Sequence, residues 1–164
     1  MKITGCEILH CDAGWRNFSF LKLQTDQGLT GISEYNESYG SKGLTAVIEA
    51  LVESIEGDDP RRHERVSQKL YAMTRQAHGG LNQQAIAAIE NAMLDVKAKS
   101  LGVPVYDLLG GAVRTELPLY WSHCGTYRMI DANAKAMGRK VFTGLDDVIE
   151  LGAEAKERGF AALK

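Results

Sequence analysis

The sequence predicts an α+β domain, a three-stranded antiparallel meander plus a helical bundle, followed by the first βαβ portion of a truncated TIM-like (β/α) barrel. Three observations predict it. Short apolar stretches separated by Gly-containing loops fill the first third of the chain, helix-periodic stretches follow, and residues 117–164 run strand, helix, strand. That last order is the unit of a parallel sheet. The closing strand, Gly159–Lys164, ends in a lysine, and the C-terminal tips of parallel barrel strands are where barrel enzymes keep their chemistry.

The meander is read from Ile3–His10, Phe18–Thr25 and Leu29–Glu34. Asp26-Gln27-Gly28 supplies the turn between the last two, with Gly where a positive φ is needed. The loops 11–17 and 35–43 mix Gly with aromatic and charged residues, a composition of exposed functional loops. Leu44, Val47, Ile48, Leu51, Val52 and Ile55 share one face of a helix over 44–55. Asp59 is placed as an N-cap and Pro60 at the first helical position, ahead of a second helix over 62–73. The third helix, 82–100, is the most buried, with Ala85, Ile86, Ala88, Ile89, Ala92, Met93, Val96 and Leu101 on its inner side. Gly102 caps it and Pro104 blocks its continuation. Gly110-Gly111 marks the boundary, dividing a first domain, 1–113, from an incomplete barrel, 114–164. Beyond it come a buried strand at Leu117–His123, a polar loop, a helix over 144–158 and the closing strand. No internal repeat is visible.

Charge is balanced, with 19 basic against 21 acidic residues, which excludes the basic stripe of a nucleic-acid binder. No apolar run reaches about 18 residues, so no membrane span is expected. The N-terminal residues lack the apolar stretch of a signal peptide. The three cysteines, Cys6, Cys11 and Cys124, form no C-x-x-C spacing, which argues against a disulfide framework and for a reducing, cytoplasmic setting.

Three segments carry a resemblance. Thr25–Glu34 (TDQGLTGISE) is similar to a T-D-x-G-x-x-G-x-x-E hairpin. Ala85–Gly111 (AIAAIENAMLDVKAKSLGVPVYDLLGG) is similar to a long helix ending in G-x-P-x-Y-x-L-L-G-G. Gly159–Lys164 (GFAALK) is similar to a strand G-F-x-A-x-K that opens a K-x-K motif. Together they resemble the N-terminal part of the enolase superfamily, in its mandelate racemase and muconate-lactonizing group. The resemblance implies that residues 1–113 are a capping domain over a modified barrel. It implies abstraction of a proton α to a carboxylate, assisted by Mg²⁺ in the full-length enzyme. Its metal ligands, Asp, Glu and Glu, would lie on strands past residue 164, so none is expected within this chain. Dehydration of a sugar acid is the activity placed first, racemisation or epimerisation second and cycloisomerisation third. The partners implied are a small-molecule carboxylate or acid sugar, and further copies of the chain in a homo-oligomer. This fragment alone is expected to be inactive. A non-catalytic cap module, for binding or assembly, is the rival from another class.

Lys164 is the candidate catalytic residue. A lysine near a second cation has its pKa lowered toward neutrality and can serve or tune a base; its plainer reading is a surface lysine. Trp15 and Arg16, in the first loop, are candidates for substrate contact, with Arg16 binding a carboxylate or hydroxyl; loop packing stands level with that reading. Glu37 and Tyr39, in the second loop, are candidates for hydrogen-bonding sugar hydroxyls, against a solvated loop. His123, at the tip of the first barrel strand, is a candidate for substrate contact, as part of a polar pocket wall. His123 beside Cys124 is weak as a metal signal without further ligands. Tyr127 and Arg128 have similar standing. His78 reads as part of a capping turn and His63 as a solvated residue on a charged face. Glu34 either fixes the second loop or meets substrate. Asp95, amid an apolar helix, reads as holding a neighbouring backbone or arginine.

Overall fold

The computed structural model describes residues 1–14, 16–38 and 40–164. The chain divides into two compact units, Met1–Asp12 with Asn17–Gly111, and the described residues of Ala13–Arg16 with Ala112–Lys164.

In the first unit, β1 (Ile3–Asp12), β2 (Asn17–Thr25) and β3 (Thr30–Tyr35) form an antiparallel sheet in that order. Alternation decides its buried face: Ser19, Leu21, Leu23 and Thr25 of β2 point inward, and so do Gly31, Ser33 and Tyr35 of β3. Gly28 takes the expected positive φ, 76°, in the turn between them. Helices α1 (Leu44–Glu53) and α3 (Gly80–Leu101) cover that face, and α2 (His63–Met73) packs on α3. Asp59 accepts from the backbone N–H of Arg61 and so opens a 3₁₀ turn at Pro60–Arg62 ahead of α2. The core joins Leu21, Leu23, Leu44, Ile48, Leu70, Ile89 and Met93.

Helix α3 crosses the sheet at Gly31. A Cβ there would stand 1.9 Å from the Ala92 carbonyl oxygen, so only glycine allows this approach. The same helix closes the sheet edge. Asp95 Oδ2 accepts from the Ile32 N–H at 2.8 Å, and Lys99 donates to the Thr30 carbonyl at 2.8 Å. Edge backbone groups of β3 are thereby satisfied by side chains rather than left open. Asp95 thus holds a backbone, as its apolar setting implied, and its cationic partner is Lys99 at 2.6 Å rather than an arginine. Helix α3 ends at Gly102 in the left-handed conformation, with the Val103 N–H returning to the Ala98 carbonyl. Leu101 departs from expectation: it is 60% exposed, because it falls on the outer side of the last turn.

Past α4 (Val105–Leu108), the second unit pairs β4 (Tyr120–Trp121) with β5 (Ala162–Leu163) in parallel. Between them lie a 3₁₀ turn (Thr126–Met129), α5 (Asp131–Ala136) and α6 (Leu145–Glu157), so the expected polar loop carries helical turns. The strand expected at Leu117–His123 is shorter and not buried, with Leu117 and Leu119 about two-thirds exposed. A parallel sheet buries both faces only when neighbouring strands and helices cover it, and β4 has one partner strand here. Helix α6 begins on Asp147, whose Oδ2 accepts the N–H groups of Thr143 and Gly144 at 2.6 and 3.0 Å while Lys140 pairs with Oδ1. These contacts, Lys140 foremost, hold the Asp147 carboxyl far below the usual carboxylate range.

Candidate active site

Lys164 follows β5 and its backbone N–H donates to the Trp121 carbonyl at 3.0 Å, which sets it beside the end of β4. Both strands point the same way, so the residues after Trp121 and after Leu163 gather at one end of the pair. Those residues are Ser122, His123 and Cys124 on one side and Lys164 on the other. Cys124 is buried, with its sulfur 3.8 Å from the Lys164 carbonyl oxygen. His123 adopts φ 53°, a conformation uncommon outside glycine that costs energy and tends to occur where a side chain is aimed for a purpose. Its Nδ1 lies 3.3 Å from the Thr126 hydroxyl, and the Tyr127 ring tilts against it at 5.4 Å. A cavity of about 260 Å³ opens here, walled by Trp121, Ser122, His123, Cys124, Tyr127 and Arg139, among others.

Arg128 also reaches this wall, but its guanidinium is committed. It pairs with Glu154 at 2.8 Å and stacks 4.2 Å over Phe142. Glu154 further receives Arg139 and Arg158, each at 3.2 Å, and Arg158 sits 5.1 Å over the Trp121 ring. Two of these arginines, Arg128 and Arg139, line the cavity and share one carboxylate, so this wall carries excess positive charge, which suits an anionic ligand. Sequence reasoning did not single out Glu154. Its i,i+4 spacing from Arg158 was a readable signal; its contacts with Arg128 and Arg139, 26 and 15 residues away, were not.

The remaining candidates fall differently. Arg16 belongs to the second unit, where the Ala13 N–H donates to its carbonyl at 3.0 Å and Gly14 lies against Ala136. Glu37 belongs to the first unit and is turned into the start of α1. One oxygen accepts the Gly43 N–H at 2.7 Å, and the other accepts the Thr45 hydroxyl, which in turn lies 2.8 Å from the Tyr35 hydroxyl. The Thr45 hydroxyl, followed by backbone N–H groups, lowers the pKa of Glu37. The Tyr35 phenol is raised, chiefly by burial. Trp15 and Tyr39 lie outside the described residues. His78 stacks on Tyr71 at 4.6 Å. His63 is not solvated as its sequence setting implied: its side chain is 15% exposed, because α2 presses that face toward α3.

Among the described residues no three His, Cys, Asp or Glu side chains converge at the barrel end; the one such group lies in the first unit. The described residues of the second unit therefore do not fit a magnesium site by themselves. No described helix is long and apolar enough to cross a membrane.

Residues 12–110 match the family model of the mandelate racemase / muconate lactonizing enzyme N-terminal domain. D-galactonate dehydratase of Xanthomonas euvesicatoria pv. vesicatoria (strain 85-10) is 38% identical over 120 residues, 73% of this chain and 31% of that protein. A crystal structure from Burkholderia xenovorans LB400, of a protein provisionally named L-alanine-DL-glutamate epimerase, superposes with a TM-score of 0.91 at 46% identity, over 99% of this chain and 41% of that one. The same protein has been seen with magnesium and fumarate, at a TM-score of 0.90 and 46% identity, covering 99% of this chain and 40% of that one. The chain thus spans about a third of the length of the curated relatives it matches.

Proposed function

The chain belongs to the mandelate racemase / muconate lactonizing enzyme family, and from that premise we propose that it forms the cap and first barrel strands of an enzyme abstracting a proton α to a carboxylate. The observation that carries this reading is the parallel pairing of β4 and β5, which brings Lys164 against Trp121 and Cys124 at one strand end. Lys164 is the catalytic residue in this reading. Its ammonium would lie near the carboxylate of a bound acid, offset its charge and so assist removal of the α-proton. His123 and Arg16 are the substrate contacts in this reading, with Trp15 and Tyr39 as further loop candidates; Glu37 instead ties its loop to the start of α1. The cap is 1–113 and the barrel start is 114–164.

Magnesium belongs to this proposal through the magnesium-bound relative. When bound it would offset the charge that develops on the substrate carboxylate. The chain's own share is to orient the acid and to set the Lys164 cation beside its carboxylate.

Dehydration of a sugar acid is the first activity proposed, supported by the D-galactonate dehydratases. Epimerisation of an α-substituted acid is the second, favoured by the higher identity of the Burkholderia protein across nearly the whole chain. Residues 1–164 alone are proposed to be inactive, and the complete enzyme to act as a cytoplasmic homo-oligomer.

The test is a chimera that joins residues 1–164 to the remainder of the Burkholderia protein. Solvent deuterium should enter the α-position of members of a panel of sugar acids and amino-acid derivatives, followed by proton NMR. Appearance of an α-keto product marks dehydration and appearance of the inverted acid marks epimerisation. Lys164→Met should abolish exchange while leaving the circular dichroism spectrum intact; undiminished exchange in that variant would remove Lys164 from the chemistry.

A further inference from the structure

The start of α2 and the middle of α3 bring together His63, Glu64 and Glu90, with one ligand atom from each lying within 4.8 Å of the others. Three features distinguish this group from an ordinary surface cluster. First, His63 is largely buried, its Nδ1 has no hydrogen-bond partner, and its Nε2 lies 3.7 Å from Glu64 Oε1, too far for a hydrogen bond. Second, the Glu90 carboxylate, half-buried on α3, has no ion-pair or hydrogen-bond partner among the described residues. Third, the donors come from two helices, so their convergence is a product of the fold and not of sequence adjacency alone.

A separation of 3.7 Å is long for a hydrogen bond. It is close to the spacing of two ligands held on one ion at about 2.0–2.2 Å each. We propose that His63, Glu64 and Glu90 bind a first-row transition dication of the zinc type, with water completing the coordination. One imidazole nitrogen and two carboxylate oxygens suit zinc, cobalt or nickel better than magnesium, which prefers an all-oxygen shell. Arg62, Arg65 and Lys97 line the adjoining groove of about 310 Å³ together with His63 and Glu64. Their positive charge opposes a cation, so the affinity falls below that of a buried structural zinc site. The site lies in the first unit, apart from any magnesium that serves the barrel chemistry, and does not depend on the proposed reaction.

The experiment is calorimetric titration of the 164-residue chain with zinc chloride, and with magnesium chloride as control. A background in which Cys6, Cys11 and Cys124 are serine removes thiolate ligation. One zinc should bind per chain, magnesium should give no comparable heat, and cobalt should give visible absorption without sulfur charge-transfer bands. Glu90→Gln, a conservative change at a half-exposed position, should weaken zinc by at least about tenfold, the scale on which supporting groups around metals act. His63→Ala should do the same, and circular dichroism reports whether that more buried change disturbs the fold. Absence of zinc binding by the folded chain overturns the proposal. So does binding that survives both Glu90→Gln and His63→Ala. Binding of sulfate or phosphate at the groove in place of zinc overturns it as well, since the arginines and Lys97 would then define the site.

Discussion

In the first unit, side chains with essentially no exposure come from the sheet and all three long helices: Ile3, Leu21, Leu23, Leu44, Ile48, Leu70, Ile89 and Met93. In the second, the buried apolar residues among those described are Cys124, Ala134, Leu151 and Ala155. What fills the difference is charge. Glu154 gathers three arginines, two of which also lie over aromatic rings, and Asp147 gathers two backbone N–H groups and Lys140. Apolar burial is not weakened by salt, whereas partly exposed ion pairs weaken as salt screens them. The two units should therefore respond differently to the same perturbation.

The sharpest way to break this comparison is to damage the first unit's core. Ile89→Ala removes a fully buried side chain from the helix that touches the sheet and both other long helices. The expected cost is about 2–5 kcal/mol, read from urea unfolding. Hydrogen–deuterium exchange of peptides should localise the loss to residues 17–111. An equal loss of protection over 112–164 would show that the second unit leans on the first, and the contrast drawn above would fail.

The next effect belongs to Glu154. Glu154→Gln leaves Arg128, 12% exposed at its side chain, without its carboxylate. Hydrogen bonds to charged groups contribute about 1.5–3 kcal/mol, so a loss of about 2 kcal/mol is expected, confined to peptides of 112–164. Adding 1 M sodium chloride should narrow the gap between wild type and Glu154→Gln while leaving that for Ile89→Ala unchanged. A gap that persists at high salt would assign Glu154 a packing role instead.

These two residues also mark how far the sequence could be read. Ile89 stands in a helix whose period, cap at Gly102 and stop at Pro104 all agree, so local pattern and tertiary burial give the same answer there. The meander was legible for the same reason, because alternation on β2 matches its buried face. Gly31 was quotable as part of a motif, but its reason, the Ala92 carbonyl 1.9 Å from where a Cβ would stand, exists only once α3 has docked. Lys164 and His123 were read as residues at strand ends, and in the fold each closely follows a strand, β5 and β4. Glu37 shows the limit: composition marks a polar loop, but only the fold shows both its oxygens turned toward Gly43 and Thr45. Glu154 was missed because its contacts with Arg128 and Arg139 join residues distant in sequence, and Glu90 because its approach to His63 and Glu64 depends on how α2 and α3 pack.

Acid separates the units less strongly. Asp59 is drawn down to about 2, by the Arg61 side chain above all, and Asp147 lower still. Each is depressed in the folded state, so the unfolded chain takes up its proton first, near pH 4. The stability each carboxylate supplies is complete above that pH and drains away as pH falls toward the folded value. Unfolding monitored from pH 5 to pH 2 should show this loss in both units. Asp59→Asn should flatten the profile of the first unit and Asp147→Asn that of the second; a profile unmoved by either change would mean that other carboxylates govern the acid response.

The smallest effect lies on α6 and sharpens the comparison most. Leu151 is buried on that helix, while Leu145, Val148 and Ile149 are 82%, 54% and 71% exposed. An exposed side chain away from caps and networks contributes within about 0.5 kcal/mol. Ile149→Ser should therefore leave the stability of the 164-residue chain unchanged, whereas Leu151→Ala should cost about 2 kcal/mol or more. Made in the chimera that supplies the remaining barrel, Ile149→Ser becomes a measure of what those exposed side chains meet. A cost of about 1.5–3 kcal/mol there, the value of fully burying such a side chain, would show that the second unit's missing core lies between α6 and its barrel neighbours. A neutral result in both settings would leave the apolar stripe on α6 facing water, and the weakness of the second unit would then be its own property.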